Sequence, residues 1–382
     1  MPRKTLTLKW LIVISAAIVL VVLFFGLRPG NFFWKNNVTW LTKQPGVRFG
    51  KNAMAFSQPL AGAFTENHLA TDSFSLEIAL KPASNETENF NFILAVHDGK
   101  DRNQLLLAQW KSSIILMNGD DYDNKRKTKR LTLKSIAASP KRLFLTITTD
   151  SRSARIYVNG RLAGARKNFH PTIPRNSPRL LLANSVYGQH SWQGEIYGLA
   201  FYGYPLSPTD AEDHYRLWSE TGRYSFARKA QSSLVYYCNE ATGSRIQDHA
   251  GGEHHLHIPD RLKKLKGQLF KQGWDHWNFN TKVIRDLFLN FIGFIPLGLT
   301  LAATFARIGG VFSTHSVRFA IASGFALSLG IEIVQAWMPL RTSDIRDLAL
   351  NTLGTLVGVM IFRLIVFGQP PAPPEFADPE GS

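Results

Sequence analysis

The chain has 382 residues, of which 45% are hydrophobic, 12% aromatic and 19% charged. A composition this apolar, with so few charges, excludes a disordered chain. The one cysteine, Cys238, excludes an intrachain disulfide, cysteine-based zinc fingers and iron–sulfur clusters, because each of these needs several thiolates. The net charge of +16 indicates an anionic partner without identifying it.

The first predicted element is a membrane-spanning helix over residues 10–27, a run of eighteen residues without a charge. This length is about the minimum that crosses a bilayer. Basic residues at 3, 4 and 9 precede the run, so residues 1–9 are expected in the cytoplasm. A cleaved signal peptide is the alternative. We expect an uncleaved anchor, because the run exceeds a usual signal core and no A-x-A-like site follows it.

Between residues 73 and 205, apolar and polar residues alternate with a period of two, as they do in half-buried strands. Eight short runs show this pattern: 73–80, 92–96, 105–110, 114–117, 143–149, 154–158, 180–183 and 196–202. Their spacing predicts an all-β sandwich. Asn159-Gly160 supplies the positive φ angles of a type I′ hairpin turn. A short helix that starts within residues 206–210 and continues over 211–220 follows, with Ser207 or Thr209 as its cap.

The region 31–222 resembles a laminin-G/concanavalin-type jelly roll. The matching stretches occur in the expected order: 72–78, 143–149 leading to 157–162, 192–196, Leu206-Ser207 and His214-Tyr215. The superfamily contains lectins, adhesion modules and glucanases. The resemblance therefore implies an extracytoplasmic domain of this fold without selecting among those activities.

The positions of the carboxylates indicate whether such a domain could hydrolyse a glycoside, because this reaction needs two carboxylates facing the scissile bond. Glu77 and Glu195 each lack a second acid on the same face of their strand. The sequence therefore favours binding over hydrolysis, and a binding protein over an enzyme. Trp110 and Trp192 are candidates for stacking on sugar rings, and packing in the sandwich core is their alternative role.

The positive charge is concentrated in the segment between the membrane helices. Residues 28–285 carry 36 Lys and Arg against 21 Asp and Glu, a net charge of +15, whereas the rest of the chain carries +1. An envelope glycan, an anionic wall polymer or lipid headgroups are the expected partners, and the location argues against nucleic acid. A generic solvated basic surface is the alternative. The densest basic run, Lys125–Arg130, is interpreted as a solvated loop.

Residues 223–285 are predicted to connect the sandwich to the membrane. Within them, 233–259 resembles an opening strand and turn of the same superfamily, and either adds a strand or is the vestige of a repeat. His249, His255 and His257 are weak candidates for a metal site, with a Gly/His-rich turn as the alternative, and no cofactor is expected. The amphipathic stretch 261–279, with Trp274 and Trp277, predicts an interfacial segment, with an ordinary linker helix as the alternative.

Three further membrane helices are predicted within residues 286–367, at about 287–306, 319–340 and 345–367. Together with the first helix they form a four-helix bundle, and the jelly roll is inserted after its first helix. The expected location is the cytoplasmic (inner) membrane, with both termini inside and the large domain outside. The proline-rich, acidic segment 368–382 is predicted to be a disordered cytoplasmic tail.

Polar residues at helical spacing inside these apolar segments predict one cluster in the outer half of the bilayer. Its members are Asp286, Asn290, Glu332, Gln335, Arg341, Asp344, Asp347 and Asn351. Charges in a membrane are costly, so such groups face the bundle and pair, and Arg341 is the expected partner for the carboxylates. The cluster either fixes the bundle or forms a pocket open to the outer face. Gly354 and Gly358 extend a small-residue seam that permits close helix approach.

Residues 286–367 resemble the VanZ-like family of small four-helix membrane proteins. The match comprises Asp286, Asn290, 293–296, 332–335, Pro339, Arg341, 344–347, Asn351 and Gly354. The family is named for low-level resistance to the glycopeptide teicoplanin, which the resemblance implies as a possible role for this chain. In the usual family layout a short loop follows the first helix, and here the jelly roll takes that place.

Three functional hypotheses follow from the sequence, and the last of them, a transporter, is disfavoured because four helices are few and the sequence shows no inverted repeat. In the first, the jelly roll of a non-enzymatic envelope protein binds a glycan or anionic wall polymer, and the bundle anchors it or couples it to a lipid-linked partner. In the second, the chain is a membrane enzyme that acts on a lipid-linked glycan or phospholipid headgroup. Glu332, Asp344 and Asp347 are then the candidate catalytic residues.

Overall fold

The computed structural model describes residues 7–60, 73–84, 87–222, 232–270 and 281–367. Two compact units are present. One comprises Met1–Phe32 with Gly267–Ser382, and the other comprises Phe33–Lys266. The predicted interfacial tryptophans, Trp274 and Trp277, and the predicted tail 368–382 lie outside the described residues.

The unit Phe33–Lys266 is a sandwich of two antiparallel sheets, which confirms the predicted fold class. Its described strands are β1 (Val38–Trp40), β2 (Val47–Phe49), β3 (Ala55–Ser57), β4 (Phe74–Pro82), β5 (Asn91–His97), β6 (Leu105–Trp110), β7 (Ser113–Asn118), β8 (Arg130–Leu133), β9 (Leu143–Thr149), β10 (Ser153–Val158), β11 (Arg161–Lys167), β12 (Arg179–Leu182), β13 (Gly194–Tyr202), β14 (Ser232–Tyr236), β15 (Arg245–Ile246) and β16 (Leu256–His257). One sheet has the order β1-β2-β13-β4-β9-β10-β11, with β14 also paired to β13. The other has the order β15-β16-β3-β12-β5-β6-β7-β8.

The core lies between the two sheets, where the inward-facing side chains of the alternating strands meet. Phe74, Leu94, Leu116 and Ile147 are fully buried there, as the period of two requires. The predicted hairpin is also present. Asn159 and Gly160 have φ angles of 51° and 75° between β10 and β11, so the turn is of the primed type whose twist suits the flanking strands.

A single helix, α2 (Pro208–Thr221), covers the outer face of the first sheet. Of the two predicted caps, Ser207 is the one used. Its hydroxyl accepts from the backbone N–H of Asp210, whose carboxylate accepts from the N–H of Ser207 in return. Trp218 of this helix packs against Phe144, with ring centroids 5.5 Å apart. The helix is therefore part of the sandwich rather than a linker.

The sheets continue beyond residue 222, the predicted end of the sandwich. Strand β14 pairs with β13 in one sheet, and β16 pairs with β3 in the other. The two ends of the unit also meet, since Lys35 bridges Arg261 in antiparallel register and the N–H of Leu262 donates to the carbonyl of Trp34 at 2.9 Å. Entry and exit of the chain therefore lie side by side.

The other unit consists of helices. They are α1 (Leu8–Leu27), α3 (Thr281–Ile308), the short α4 (Gly310–Thr314), α5 (Ser316–Gln335) and α6 (Ile345–Phe367), with a 3₁₀ turn at Pro29–Phe32. Among the described residues, four of these helices are long and apolar enough to cross a membrane: α1, α3, α5 and α6. They are the four membrane helices predicted from the sequence.

Helix α5 ends at Gln335, five residues before its predicted end at 340. A tighter turn of the 3₁₀ type follows, in which the N–H of Trp337 donates to the carbonyl of Val334 three residues back. Pro339 has no N–H to continue the helix, and Leu340 adopts a positive φ of 61°. The proline was visible in the sequence, and it shifts the polar residues that follow into a turn.

Helices α3 and α6 approach each other closely along the predicted glycine seam. A Cβ at Gly354 would lie 2.1 Å from the carbonyl oxygen of Phe291, and one at Gly358 would lie 2.0 Å from that of Ile295. Gly298 provides the same clearance from the α3 side. The two helix backbones can approach this closely only because the residues at the contact are glycines, which have no side chain.

Helix α1 packs within the same unit. The hydroxyl of Ser15 lies 3.0 Å from that of Thr304 on α3, and Ile331 of α5 covers Gly26. At its C-terminal end, the carbonyl of Gly26 accepts hydrogen bonds from the side chains of Gln335 and Arg341 at 2.8 and 2.9 Å. Helix α1 therefore packs against α3 and α5 within this unit.

Candidate functional site

The polar residues of the helical unit gather where α5 ends and α6 begins. Glu332 is 1% exposed on the last turn of α5. Its Oε2 accepts the backbone N–H of Asp344 at 2.8 Å, and the hydroxyl of the buried Ser343 also bonds this carboxylate. The carboxylate of Glu332 thus caps the start of α6, where the free N–H groups and the helix dipole favour negative charge.

Two further carboxylates stand beside Glu332. Asp344 binds the guanidinium of Arg346 through two oxygens, at 3.1 and 2.9 Å from Nε. Asp347, one turn into α6, receives a hydrogen bond from the side chain of Asn290 on α3. Arg346 is thus an ionic partner of Asp344, and the positive charge of Arg341, the partner that the sequence suggested, acts on Asp347.

The remaining predicted members have other positions. Gln335 and Arg341 both bind the carbonyl of Gly26, at the end of α1. Asn351, one turn deeper in α6, donates to the hydroxyl of Ser328 at 2.9 Å. The side chain of Asp286 lies outside the described residues. The eight predicted residues thus divide among several contacts, and only part of them form one site.

We name the site at the junction the carboxylate cluster: Glu332, Asp344 and Asp347, with Arg346 and Asn290. Carboxylates sharing a semi-buried site can transfer a proton to or from a bound group, which is general acid–base chemistry. The same hydrogen bonds also join α5 to α6, so the cluster has a structural role in either case. Ser343 and Arg346 were missing from the predicted cluster, although their places within three residues of Asp344 were a usable signal.

The sandwich carboxylates are engaged internally. Glu77 is fully buried on β4, where it accepts from Thr146 at 3.0 Å, from the phenol of Tyr202 at 2.8 Å and from His214 of α2 at 3.0 Å. Although burial opposes it, the contact with Glu77 raises the pKa of His214. Glu77 therefore fastens α2 to the sheet.

Glu195 has a different environment, at the start of β13, which pairs there with β2 and β4. Its carboxylate accepts from the phenol of Tyr197 at 2.6 Å and from the guanidinium of Arg48 at 2.7 Å. Burial raises its pKa, but these two hydrogen bonds outweigh burial and leave the pKa of Glu195 below its usual value. Glu77 and Glu195 thus have separate partners, and neither forms a carboxylate pair in the described residues.

The two candidate tryptophans differ in exposure. Trp192 is fully buried and donates its indole N–H to Gln109 at 2.8 Å, so it belongs to the core. Trp110 is 44% exposed at the end of β6, with the ammonium of Lys111 5.1 Å from its ring centroid. Of the pair, only Trp110 presents a ring to a ligand.

The candidate metal ligands have other contacts. His249 stacks on Tyr237 with centroids 4.5 Å apart, and His255 accepts from the N–H of Asp248 at 3.0 Å. His257 packs edge-on against Phe56. No three His, Cys, Asp or Glu side chains converge as a metal site within the described ranges.

A buried network at one end of the sandwich was not predicted. Asp101 accepts from His97 at 2.8 Å, from the phenol of Tyr187 at 2.6 Å and from the ammonium of Lys266 at 3.2 Å. Burial raises the pKa of Asp101, but these partners together lower it to about 2. The network ties the last residue of the unit, Lys266, to the β5–β6 turn.

Two family models match the chain. The VanZ/LLP1 family matches residues 235–366, and the concanavalin A-like lectin/glucanases superfamily matches residues 61–212. The chain therefore combines a VanZ-type C-terminal region with a concanavalin-like domain, as the two sequence resemblances predicted. A search of the curated proteins found no match.

Solved structures resemble the sandwich at low identity. A Bacteroides ovatus protein named for carbohydrate binding is 13% identical with a TM-score of 0.42, over 57% of this chain and 58% of that one. The ligand binding domain of botulinum neurotoxin serotype D, in complex with N-acetylneuraminic acid, is 16% identical with a TM-score of 0.36, over 48% and 45%. Domain 4 of the extracellular arabinanase AbnA from Geobacillus stearothermophilus, in complex with arabinotriose, is 15% identical with a TM-score of 0.32, over 47% and 79%. This chain thus spans less than two thirds of the first two structures, and at these TM-scores the likenesses carry no functional conclusion.

Proposed function

We propose that this membrane protein, with its VanZ-type helices and concanavalin-like sandwich, binds a glycan or an anionic wall polymer of the cell envelope. The observation that carries the proposal is the combination of a lectin-type sandwich with a net charge of +15 over residues 28–285. The internal partners of Glu77 and Glu195 favour binding over hydrolysis, since hydrolysis needs two carboxylates free to face one bond.

The proposed arrangement places the sandwich outside the cytoplasmic membrane and both chain termini inside. The helices then hold the sandwich at the membrane or couple it to a lipid-linked partner. An extracytoplasmic location also explains why envelope polymers, and not nucleic acids, are the proposed partners.

A binding screen on the full-length protein tests this proposal. The protein is reconstituted in nanodiscs of neutral lipid and presented with envelope polysaccharides, teichoic acid and lipopolysaccharide at two salt concentrations. We expect retention on at least one polymer at the lower salt. Retention that persists at the higher salt identifies a lectin-like contact, because screening removes purely ionic attraction. Absence of retention on every polymer would refute the proposal.

The VanZ-type region suggests a cellular readout for the same proposal. A strain that lacks the protein should become more sensitive to teicoplanin, and complementation with the full chain should restore resistance. Unchanged sensitivity would remove glycopeptide resistance from the proposed function while leaving the binding screen to decide the rest.

The carboxylate cluster supports a second candidate, a membrane enzyme that acts on a lipid-linked glycan or a phospholipid headgroup. The specific observation is that Glu332, Asp344 and Asp347 meet at one helix junction. Glu332→Gln and Asp347→Asn keep the shape of each side chain but remove its proton-accepting carboxylate. On this hypothesis both variants abolish the cellular phenotype at normal expression. Loss of folded protein in both variants would instead show that the carboxylate cluster has a structural role.

A further inference from the structure

An open groove runs between the two edge strands of the sandwich, β8 of one sheet and β11 of the other, and has a volume of about 580 Å³. Six polar side chains line it: Asn124, Lys127, Thr128, Arg130, Thr132 and Arg166. The groove includes part of the basic run that the sequence suggested was only a solvated loop. We call it the basic groove.

The shape of the loop that forms one wall is fixed from inside. Asp121 is 2% exposed and accepts the backbone N–H groups of Thr128 at 2.9 Å and Arg126 at 3.1 Å. Burial raises the pKa of Asp121, but these backbone hydrogen bonds outweigh burial and lower it. Asp121 therefore fixes the conformation of the loop. Its carboxylate also lies 3.6 Å from the guanidinium of Arg130.

The cations of the groove come from both sheets. Arg166 of β11 donates from Nη1 to the backbone carbonyl of Arg130 on β8, so the two arginines stand together where the sheets meet. Arg130 is only 12% exposed along its side chain, and its Nε is buried without a hydrogen-bond partner among the described atoms. Lys127 and Arg166 have no carboxylate within 4.0 Å in the described part of the chain. An anion bound in the groove would therefore supply the countercharge that Lys127 and Arg166 lack among the described carboxylates.

The form of the groove suits a chain molecule. The groove opens to solvent, and β11 beside it is exposed at nearly every residue, in contrast to the buried strand β9 of the same sheet. Arg161 and Lys167 stand at the two ends of this strand, so positive charge continues beyond the groove. The neutral hydroxyl of Thr132 offers a hydrogen bond to a ligand hydroxyl between the charges, whereas the hydroxyl of Thr128 already bonds Asp121.

We infer that the basic groove is where the sandwich binds an anionic polysaccharide, with acidic groups along the polymer on Lys127 and Arg166. This inference rests on the proposed function and locates its site. The acidic group can be a carboxylate, a sulfate or a phosphodiester, which share charge and acceptor oxygens.

A charge-reversal experiment on the full-length protein in nanodiscs of neutral lipid tests the assignment. The probes are polygalacturonate, dextran sulfate, a poly(glycerol phosphate) teichoic acid and uncharged dextran. The groove variant is Lys127→Glu with Arg166→Glu. The matched control is Lys43→Glu with Lys51→Glu, which makes the same charge change near β1 and β2, at the opposite edge of the sheet that ends in β11.

We expect the groove variant to bind the anionic polymer at least about tenfold more weakly, and the control to change binding by less than about twofold at physiological salt. Equal thermal stability of the two variants shows that the loss is not one of folding. Lys127→Gln with Arg166→Gln provides a milder second test, with a smaller loss in the same direction. Similar losses in both charge-reversal variants would overturn the groove assignment while leaving the proposed function intact.

Two other results separate the alternatives. Failure of the wild-type protein to bind any polysaccharide would refute both the proposed function and the groove. Tighter binding of the wild type to phosphatidylglycerol vesicles or to single-stranded DNA than to every polysaccharide would overturn the inference, because the groove would then recognise another class of polyanion.

Discussion

The attachment of helix α2 to the sandwich should depend on pH through His214. The Nδ1 of His214 lies 3.0 Å from the fully buried carboxylate of Glu77, and the side chain of His214 is 17% exposed. Replacing the imidazole by His214→Gln removes the positive charge while keeping a polar side chain. The buried Glu77 would then lack its cationic partner.

The size of the effect follows from this geometry. A hydrogen bond to a charged group contributes about 1.5–3 kcal/mol, and the partial exposure of His214 places the contact near the lower end, at about 1.5 kcal/mol. Burial lowers the pKa of His214, but Glu77, with Asp210 and Asp213, raises it above the usual value. The stabilisation is therefore fully present below about pH 6.5, the unfolded value, and is lost as the pH rises through the folded value.

Hydrogen exchange of the full-length protein in detergent measures this contribution. After correction for intrinsic rates, protection of the α2 amides should fall about tenfold in His214→Gln at pH 6, and by much less at pH 9. His170→Gln, at an exposed histidine, is the matched control and should leave α2 unchanged. Equal losses of protection at both pH values would refute the charge-based explanation of the contact.

Two further predictions concern the helices. Gly358→Leu should destabilise the bundle by about 1–3 kcal/mol or more, because a Cβ there would lie 2.0 Å from a backbone oxygen, whereas Met360→Leu, at a 52% exposed site, should be neutral. Thermal unfolding in detergent measures both effects, and equal stability of the Gly358→Leu and Met360→Leu variants would contradict the close α3–α6 packing. For topology, an impermeant maleimide should label Glu220→Cys in intact spheroplasts but Ser313→Cys only after permeabilisation, and the buried Cys238 should leave the wild type unlabelled. The reverse labelling pattern would refute the proposed orientation.

The sequence predicted the elements whose signals are local. The period of two in the strands, the Asn159-Gly160 turn and the uncharged runs of the four helices each depend on neighbouring residues, and the structure contains them. The glycine seam was also predictable, because small residues one turn apart share a helix face.

The partners of the polar residues were harder to predict, because they depend on the turn between α5 and α6. Pro339 and the positive φ of Leu340 end α5 early, which brings the backbone N–H of Asp344 to Glu332. Arg341 thereby reaches Gly26, and Asp344 takes its ionic partner from its own helix. A helical wheel drawn through residue 340 cannot show this rearrangement.

The pairing between distant strands of the sandwich was also not predictable from local sequence patterns. Strands β15 and β16 are two residues each, too short for any periodicity to be read, and they exist because β3 supplies an edge. The basic groove was hidden because Arg130 and Arg166 are far apart in sequence and meet only where the edges of the two sheets come together.

The side-by-side ends of the sandwich unit, where Lys35 bridges Arg261, make that unit a removable cassette. A chain that leaves and re-enters at one point can be shortened there by a few-residue loop without stretching either flank. Deleting residues 36–260 in this way should leave the helices α1, α3, α5 and α6 in one chain, with residues 28–35 and 261–280 between α1 and α3. Two covalent segments of the chain therefore connect the sandwich to the helices, and a force applied to the sandwich is shared between them.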